Sequence, residues 1–222
     1  MYLYETHLHT FPVSACATNT PEEMVRYYKR KEYAGVIITD HFFNGNSGCP
    51  QNLSWEGKVK FFTEAYERAK KEGEKHDFDV FFGLEYSYNG TEFLVYGLNE
   101  EFLLKNPRFD KLQMKDFSAA VRGAGGYLAQ AHPYRTAWWI SNPEPAHHSL
   151  IDGIEVHNST MSDKTNRLAL KYAEKHNLAK QSGSDAHNTS AHRPSGIALQ
   201  NRAEDIFDII NALKKDRVVL LN

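Results

Sequence analysis

Short apolar runs rich in β-branched and aromatic residues alternate with stretches of helical spacing along almost the whole chain, and nothing else in the sequence limits the fold as strongly. Gly35-Val36-Ile37-Ile38-Thr39-Asp40 and Asp79-Val80-Phe81-Phe82-Gly83-Leu84-Glu85 are polar only toward their ends, the pattern of strands buried on both faces. Further strands are expected near 2–8, 93–97, 126–131, 153–157, 180–184 and 217–221. Between the first two runs, Thr20-Pro21-Glu22-Glu23 reads as a helix start, with Thr20 as N-cap, Pro21 in the first helical position and Glu23 closing a capping box. Helical spacing also covers about 54–75, 108–123, 162–176 and 203–215. Buried strands alternating with helices predict an α/β fold with a parallel sheet covered on its faces. No linker rich in Gly, Ser or Pro divides the chain, so residues 1–222 are expected to fold as a single domain.

Charge and composition narrow the function. Lys plus Arg number 26 against 28 Asp plus Glu, so the chain has no basic surplus with which to grip a nucleic-acid backbone. No apolar run is long enough for a membrane span, and Met1-Tyr2-Leu3-Tyr4-Glu5 lacks the basic start and apolar core of a signal peptide; a cytoplasmic location is expected. Cys16 and Cys49 are too few for a disulfide framework. The 11 histidines are informative only through their positions.

Those positions coincide with strand ends. The first strand ends in His7-Leu8-His9, the second in Asp40-His41, the third in Glu85, and the run at 126–131 in His132-Pro133. The strand at 153–157 carries Glu155, His157 and Asn158 at its end, and that at 180–184 runs into Asp185-Ala186-His187. In a parallel barrel all of these meet on the C-terminal face, where barrel enzymes build their sites. His7 and His9 are two apart, so on an extended strand both point the same way and one metal could take both. Singly, each residue has an ordinary reading: a strand-end carboxylate caps a helix, and a histidine before proline sits in a turn. Together they would be costly to bury without a cation. His76, His147, His148, His176 and His192 read as surface or helix-end groups. Arg135 and Arg193 follow His132 and His187 into loops at the same face, where each could fork onto a phosphate or lie in solvent.

In chain order, His7-Leu8-His9-Thr10, Ile38-Thr39-Asp40-His41, Gly83-Leu84-Glu85, Ala131-His132-Pro133, Gly153-Ile154-Glu155-Val156-His157-Asn158 and Ser182-Gly183-Ser184-Asp185-Ala186-His187 resemble the motifs of the PHP (polymerase and histidinol phosphatase) family of metal-dependent phosphoesterases. The resemblance covers nearly the whole chain. It implies a distorted seven-stranded, TIM-like (β/α) barrel and two or three divalent Zn, Mn or Fe ions. By position, His7, His9, Glu85 and Asp185 would hold the first ion, Glu85 would bridge to a second held also by His132, and His41 with His187 would hold a third. The sequence departs from the family pattern twice. Val13-Ser14-Ala15-Cys16 stands where a His or Asp often helps to bind the third ion; Cys16 could substitute, but a weaker or absent third ion is the expectation. Glu92 stands where many members have a histidine for the second ion, and a carboxylate would replace it.

The activity implied is hydrolysis of a small phosphomonoester, such as histidinol phosphate, a nucleotide or a sugar phosphate, by metal-activated water. Asp185 would take the proton of that water. Arg135, Asn158 and Arg193 are the candidates for holding substrate, while Asp40 and Glu155 would orient the ligands from behind. Two rival readings keep the fold: an amidohydrolase-like enzyme cleaving a C–N or C–O bond, and a non-catalytic module that docks on a polymerase or other partner.

Overall fold

The computed structural model describes residues 1–140, 142–190 and 193–222; the expectation for His192 lies outside them. Nine strands join in one sheet: β1 (Tyr2–Leu8), β2 (Gly35–Ile38), β3 (Asp79–Tyr88), β4 (Thr91–Tyr96), β5 (Tyr127–Gln130), β6 (Gly153–Asn158), β7 (Ala179–Gly183), β8 (Gly196–Leu199) and β9 (Val219–Leu221). Their order is β7-β6-β5-β4-β3-β2-β1-β8-β9. Six helices accompany them: α1 (Pro21–Arg30), α2 (Trp55–Glu74), α3 (Glu100–Lys105), α4 (Met114–Gly123), α5 (Asp163–His176) and α6 (Ile206–Lys214).

The structure corrects the expected seven-stranded parallel barrel in two respects. The sheet has nine strands, and it is mixed: β4 runs against β3 and β5, and β8 against β1 and β9. The cause of the first reversal is local. Strand β3 continues past Glu85 to Tyr88, and Asn89-Gly90, both at positive φ (51° and 81°), turn the chain straight back into β4 without a helical crossover. Likewise no helix lies among the described residues between β7 and β8, and β8 returns antiparallel beside the first residues of β1. The helix expected over 108–123 begins only at Met114, and α3 forms where none was expected.

The sheet curves until its arms meet. Just beyond β7, Ala186 bridges Leu8 at the end of β1, with the His9 amide donating to the Ala186 carbonyl at 2.8 Å. This contact brings the C-terminal ends of β1, β2, β3 and β7 onto one rim.

Helix α1 starts with the predicted capping box of Thr20 and Glu23 and buries Met24, Val25 and Tyr28. It is clamped to α2 by a forked Arg68–Glu22 pair, both bonds 2.8 Å, and by Arg26–Glu72 at 2.6 Å. A cluster of aromatic rings that includes Phe42, Phe62, Phe109 and Phe117 fills the space between helices and sheet, with Tyr86 stacked on Phe117 at 3.7 Å between centroids. Each ring buried there contributes about 1.5–3 kcal/mol, enough to hold a rim that is itself built from polar residues.

Strand β1 is not regular. Its register against β2 shifts between Glu5 and Leu8. Tyr4 packs with Ile37, while Leu8, which would share its face on a regular strand, packs on the opposite side with Val36 and Ile38. The amides of Thr6 and His7 both donate to Glu5 Oε1 at 3.0 Å, pinning this bulge. Glu5 is fully buried and also accepts from the Ser184 amide and hydroxyl and from Tyr28. A bulge beside a site re-aims a side chain, and this one sets His7 and His9 into the rim.

Candidate metal centre

Each element delivers its residues to the rim for a local reason. The end of β1 supplies His7 and, one step beyond, His9; the residues after β2 supply Asp40 and His41; β3 supplies Glu85. His41 and Glu85 are tied by a parallel bridge, with the Phe42 amide on the Glu85 carbonyl (2.8 Å) and the Glu85 amide on the Asp40 carbonyl (3.0 Å). Glu92 arrives because β4 starts, rather than ends, at this rim. His132 and Asp185 follow β5 and β7 and both hold positive φ (25° and 52°), strained values for non-glycine residues that persist where the surroundings enforce them.

The ligand-type atoms converge. His7 Nε2 lies 3.1 Å from Glu85 Oε1, 3.4 Å from Asp185 Oδ1 and 3.2 Å from His9 Nε2, and His9 Nε2 is 3.3 Å from Asp185 Oδ1. His132 Nε2 is 3.3 Å from Glu85 Oε1 and 3.4 Å from Glu92 Oε2. His41 Nδ1 faces Glu85 Oε2 at 2.7 Å and Glu92 Oε1 at 3.6 Å. Single ring nitrogens of His9, His41 and His187 lie within 4.8 Å of one another. The structure therefore brings together His7, His9, His41, Glu85, Glu92, His132, Asp185 and His187, the full set of candidate ligands.

Behind them, a second set of contacts fixes the rings. Glu155 Oε1 accepts from His7 Nδ1 at 3.0 Å, and its other oxygen accepts from the His132 amide (2.8 Å) and Asn158 Nδ2 (2.9 Å). Ser14 Oγ contacts His9 Nδ1 at 3.0 Å, and the Asp185 carbonyl accepts from His187 Nδ1 at 2.8 Å. With Nδ1 engaged in each ring, Nε2 is left to present its lone pair to the cluster. Asp40 is buried and ties Thr10 and Ser14 together, accepting from both hydroxyls at 2.6 Å.

The electrostatics call for cations. Burial alone would raise the pKa of Glu85, but His41 and His7 more than reverse this and hold it well below the carboxylate range. Asp185 is likewise held low against burial by His7 and His9, while burial and the Glu85 charge push Glu92 up. Burial and the charges of His41 and His187 press His9 well below the imidazole range, so it stays neutral. Glu85 Oε2 and His41 Nδ1 are buried, face each other, and have no hydrogen-bond partner. Buried ionised carboxylates, a neutral imidazole and buried ligand-type atoms without hydrogen-bond partners fit divalent cations, which satisfy all three at once.

Other candidates sit elsewhere. Asn158 is fully buried and spends its amide on Glu155 and Thr160. His157 turns away after a register shift in β6 and meets Asn166 of α5 at 3.3 Å. Arg193 is exposed, its carbonyl accepting from Ser159 Oγ at 2.8 Å. Arg135 Nη1, by contrast, lies 3.6 Å from Asp185 Oδ2 and 3.7 Å from Glu92 Oε2, and the side chain is 31% exposed at the mouth. Sequence reasoning missed Glu5 and Ser14. The first carries a signal in hindsight, a carboxylate inside an otherwise buried strand; Ser14 carries none.

The fold has relatives among solved structures. A two-domain protein from Bacteroides vulgatus containing a predicted PHP-like metal-dependent phosphoesterase superposes with a TM-score of 0.71 at 16% identity, covering 99% of this chain. The chain spans 64% of the length of that protein. Residues 163–191 match the family model of the PHP-associated region. The chain has the fold of these PHP-like proteins. A candidate metal-dependent phosphoesterase from Bifidobacterium adolescentis (TM-score 0.59, 15% identity, 95% of this chain and 94% of the other) has the same fold. So has an amidohydrolase from Chromobacterium violaceum with bound sulfate and no metal (0.63, 15%, 98% and 97%). No curated protein matches the sequence. Among the described residues no helix is long and apolar enough to cross a membrane.

Proposed function

We propose that this chain is a PHP-type metal-dependent phosphoesterase that hydrolyses a small phosphomonoester. The reading is supported by phosphoesterases among its structural neighbours, and one observation carries it: a guanidinium, that of Arg135, stands at the open side of a cluster otherwise made of ligands. A phosphate monoester brings a dianion in its ground state that a guanidinium can fork onto, a demand that a neutral amide does not make before it is attacked.

His7, His9, Glu85 and Asp185 would hold one divalent ion, and Glu85, Glu92 and His132 a second; mixed imidazole and carboxylate donors suit Zn, Mn or Fe. Such ions supply Lewis-acid polarisation of the phosphoryl group and make water acidic enough to attack near neutral pH. The chain's residues do the rest. Asp185 turns Oδ1 to His7 and His9, while Oδ2 lies between Arg135 Nη1 at 3.6 Å and His132 Nε2 at 3.9 Å, on the side of the mouth. Held ionised, Asp185 accepts the proton of the attacking water at Oδ2. Glu155 keeps His7 in the tautomer that leaves Nε2 available.

The test is release of inorganic phosphate from a panel of phosphomonoesters by protein loaded with Mn(II) or Zn(II), paired with Arg135→Ala. Loss of a charge-assisted contact of about 1.5–3 kcal/mol should raise KM for the best substrate by roughly 10- to 100-fold. Hydrolysis of amides by metal-loaded protein that releases no phosphate from any panel member would replace this reading with the amidohydrolase one.

A further inference from the structure

We propose that Trp138 and Trp139 select, among phosphomonoesters, those whose leaving group carries a planar ring, stacking on that ring while Arg135 holds the phosphate. The inference rests on the phosphoesterase reading and deepens it by naming the class of leaving group.

The first observation is that two neighbouring indoles are held in solvent by an ordered loop. Trp138 is 93% exposed and Trp139 52%. Trp55, by contrast, packs against the aromatic core and donates Nε1 to the Leu103 carbonyl at 2.7 Å. After β5 the Tyr134 amide donates to the Pro143 carbonyl at 2.9 Å and closes the loop at its base. Within it the Ile140 amide donates to the Ala137 carbonyl at 3.0 Å, a turn with the two tryptophans at its centre. The turn leans on the β3–β4 hairpin, where a Cβ on Gly90 would lie 2.8 Å from the Trp139 carbonyl. Ala146 is tied on both sides, its amide to Gln130 Oε1 at 2.7 Å and its carbonyl to the Tyr172 hydroxyl at 2.8 Å. An indole is among the largest apolar groups a fold can bury, and this loop spends its hydrogen bonds on keeping two of them out.

The second observation is where they stand. The Arg135 guanidinium carbon lies 6.0 Å from the centroid of the Trp139 ring, while Nη1 faces Asp185 and Glu92. The indole face attracts the cation, so Arg135 is shared between the ligand cluster on one side and Trp139 on the other. Trp138 meets Trp139 edge-on, with centroids 5.4 Å apart and planes at 89°, so the pair offers two perpendicular faces. Beside Trp139 opens a cleft of about 550 Å³, lined also by Tyr88, Asn89, Thr91 and Asn142, a size that suits a ring-bearing ligand. An ester whose phosphate is forked by Arg135 has its leaving group beside these faces. Any planar ring can stack on an indole, whereas a polyol or an alkyl chain has no π-face to offer.

Two matched pairs of esters test this on metal-loaded protein. Adenosine 5′-monophosphate and methyl riboside 5-phosphate differ only in the base; benzyl phosphate and butyl phosphate differ in a small ring. Native protein should favour the ring-bearing member of at least one pair by roughly 5- to 150-fold in kcat/KM, and the pair that shows it tells a nucleobase from a small aryl group. That ratio should collapse in Trp138→Ala/Trp139→Leu, a change at exposed positions that spares the core. Trp139→Leu alone should also raise KM for the ring-free ester, because Arg135 loses its support, and Trp139→Phe should restore it. Independently of turnover, the uncleavable methylene phosphonate of the favoured ester should quench indole fluorescence in the native chain and not in the double variant. Equal kcat/KM within both pairs, or a ratio that survives in the double variant, would overturn the stacking role and leave the phosphoesterase reading standing. Quenching without phosphate release would overturn hydrolysis and leave the ring-binding site, and neither quenching nor release would overturn both.

Discussion

Glu155→Gln isolates what the contacts behind the ligands contribute. The native carboxylate accepts three hydrogen bonds, from His7 Nδ1 at 3.0 Å, the His132 amide at 2.8 Å and Asn158 Nδ2 at 2.9 Å. Glutamine has the same shape but only one acceptor oxygen. If that oxygen faces His132 and Asn158, the new NH2 points at His7 Nδ1 and forces the other tautomer, so that Nε2 carries a proton into the cluster and cannot ligate. If the amide flips, its NH2 opposes two donors instead, one a backbone amide that cannot move away. Either outcome removes the support that holds His7 ready, and losses of this kind cost about 10- to 100-fold in metal affinity, or roughly 1.4–2.7 kcal/mol. Competition for Zn(II) against a chromophoric chelator measures this directly. The metal-free protein should lose about 1–3 kcal/mol of stability for the broken charge-assisted bond, a fall of roughly 2–12 °C in Tm for a chain of this size, so the titration belongs well below that range. A variant that binds Zn(II) as tightly as the native chain would refute the assignment of His7 as a ligand oriented by Glu155.

Gly183→Ala tests the same region by crowding. A Cβ there would collide with Glu155 Oε1 and sit 2.7 Å from His7 Cβ, so overpacking of about 1–3 kcal/mol should come with at least a tenfold loss of metal affinity in the same competition; unchanged affinity would show that His7 and Glu155 need not be held in register. Far from the rim, Lys75, Arg26 and His76 hold the Glu72 carboxyl at about 2, below its unfolded value of about 4.3. A depressed carboxylate stabilises above the unfolded pKa and loses that contribution as pH falls through the folded one. The partners are largely exposed, so the network is worth about 0.5–1 kcal/mol; the gap in denaturant midpoint between the native chain and Glu72→Gln should be present at pH 7 and close between pH 4 and pH 2, and a gap independent of pH would dismiss the network.

The positions of the candidate ligands were legible because each is covalently adjacent to the apolar run that places it. His7 lies near the end of β1 and His9 follows it, His41 follows β2, Glu85 lies in β3, and His132 and Asp185 follow β5 and β7, so finding the strands amounts to finding the candidate ligands. What stayed hidden depends on events that change direction without changing composition. Asn89-Gly90 is a hairpin signal of two residues, yet it reverses β4 and thereby brings Glu92, rather than a residue near 97, to the rim. The bulge in β1 alters which face each residue takes, and its cause is a hydrogen-bond pattern around Glu5 that links residues 5, 28 and 184. A comparable shift in β6 separates Glu155, which enters the site, from His157, which leaves it, although strict alternation would put them together. His187 is the sharpest case. The rings it meets in the rim are far from it in the chain, and closure of the sheet between Leu8 and Ala186 is what draws its ring to 4.2 Å from that of His9. A contact made by closure of the sheet leaves no local pattern in the sequence, whereas one made at a strand end does.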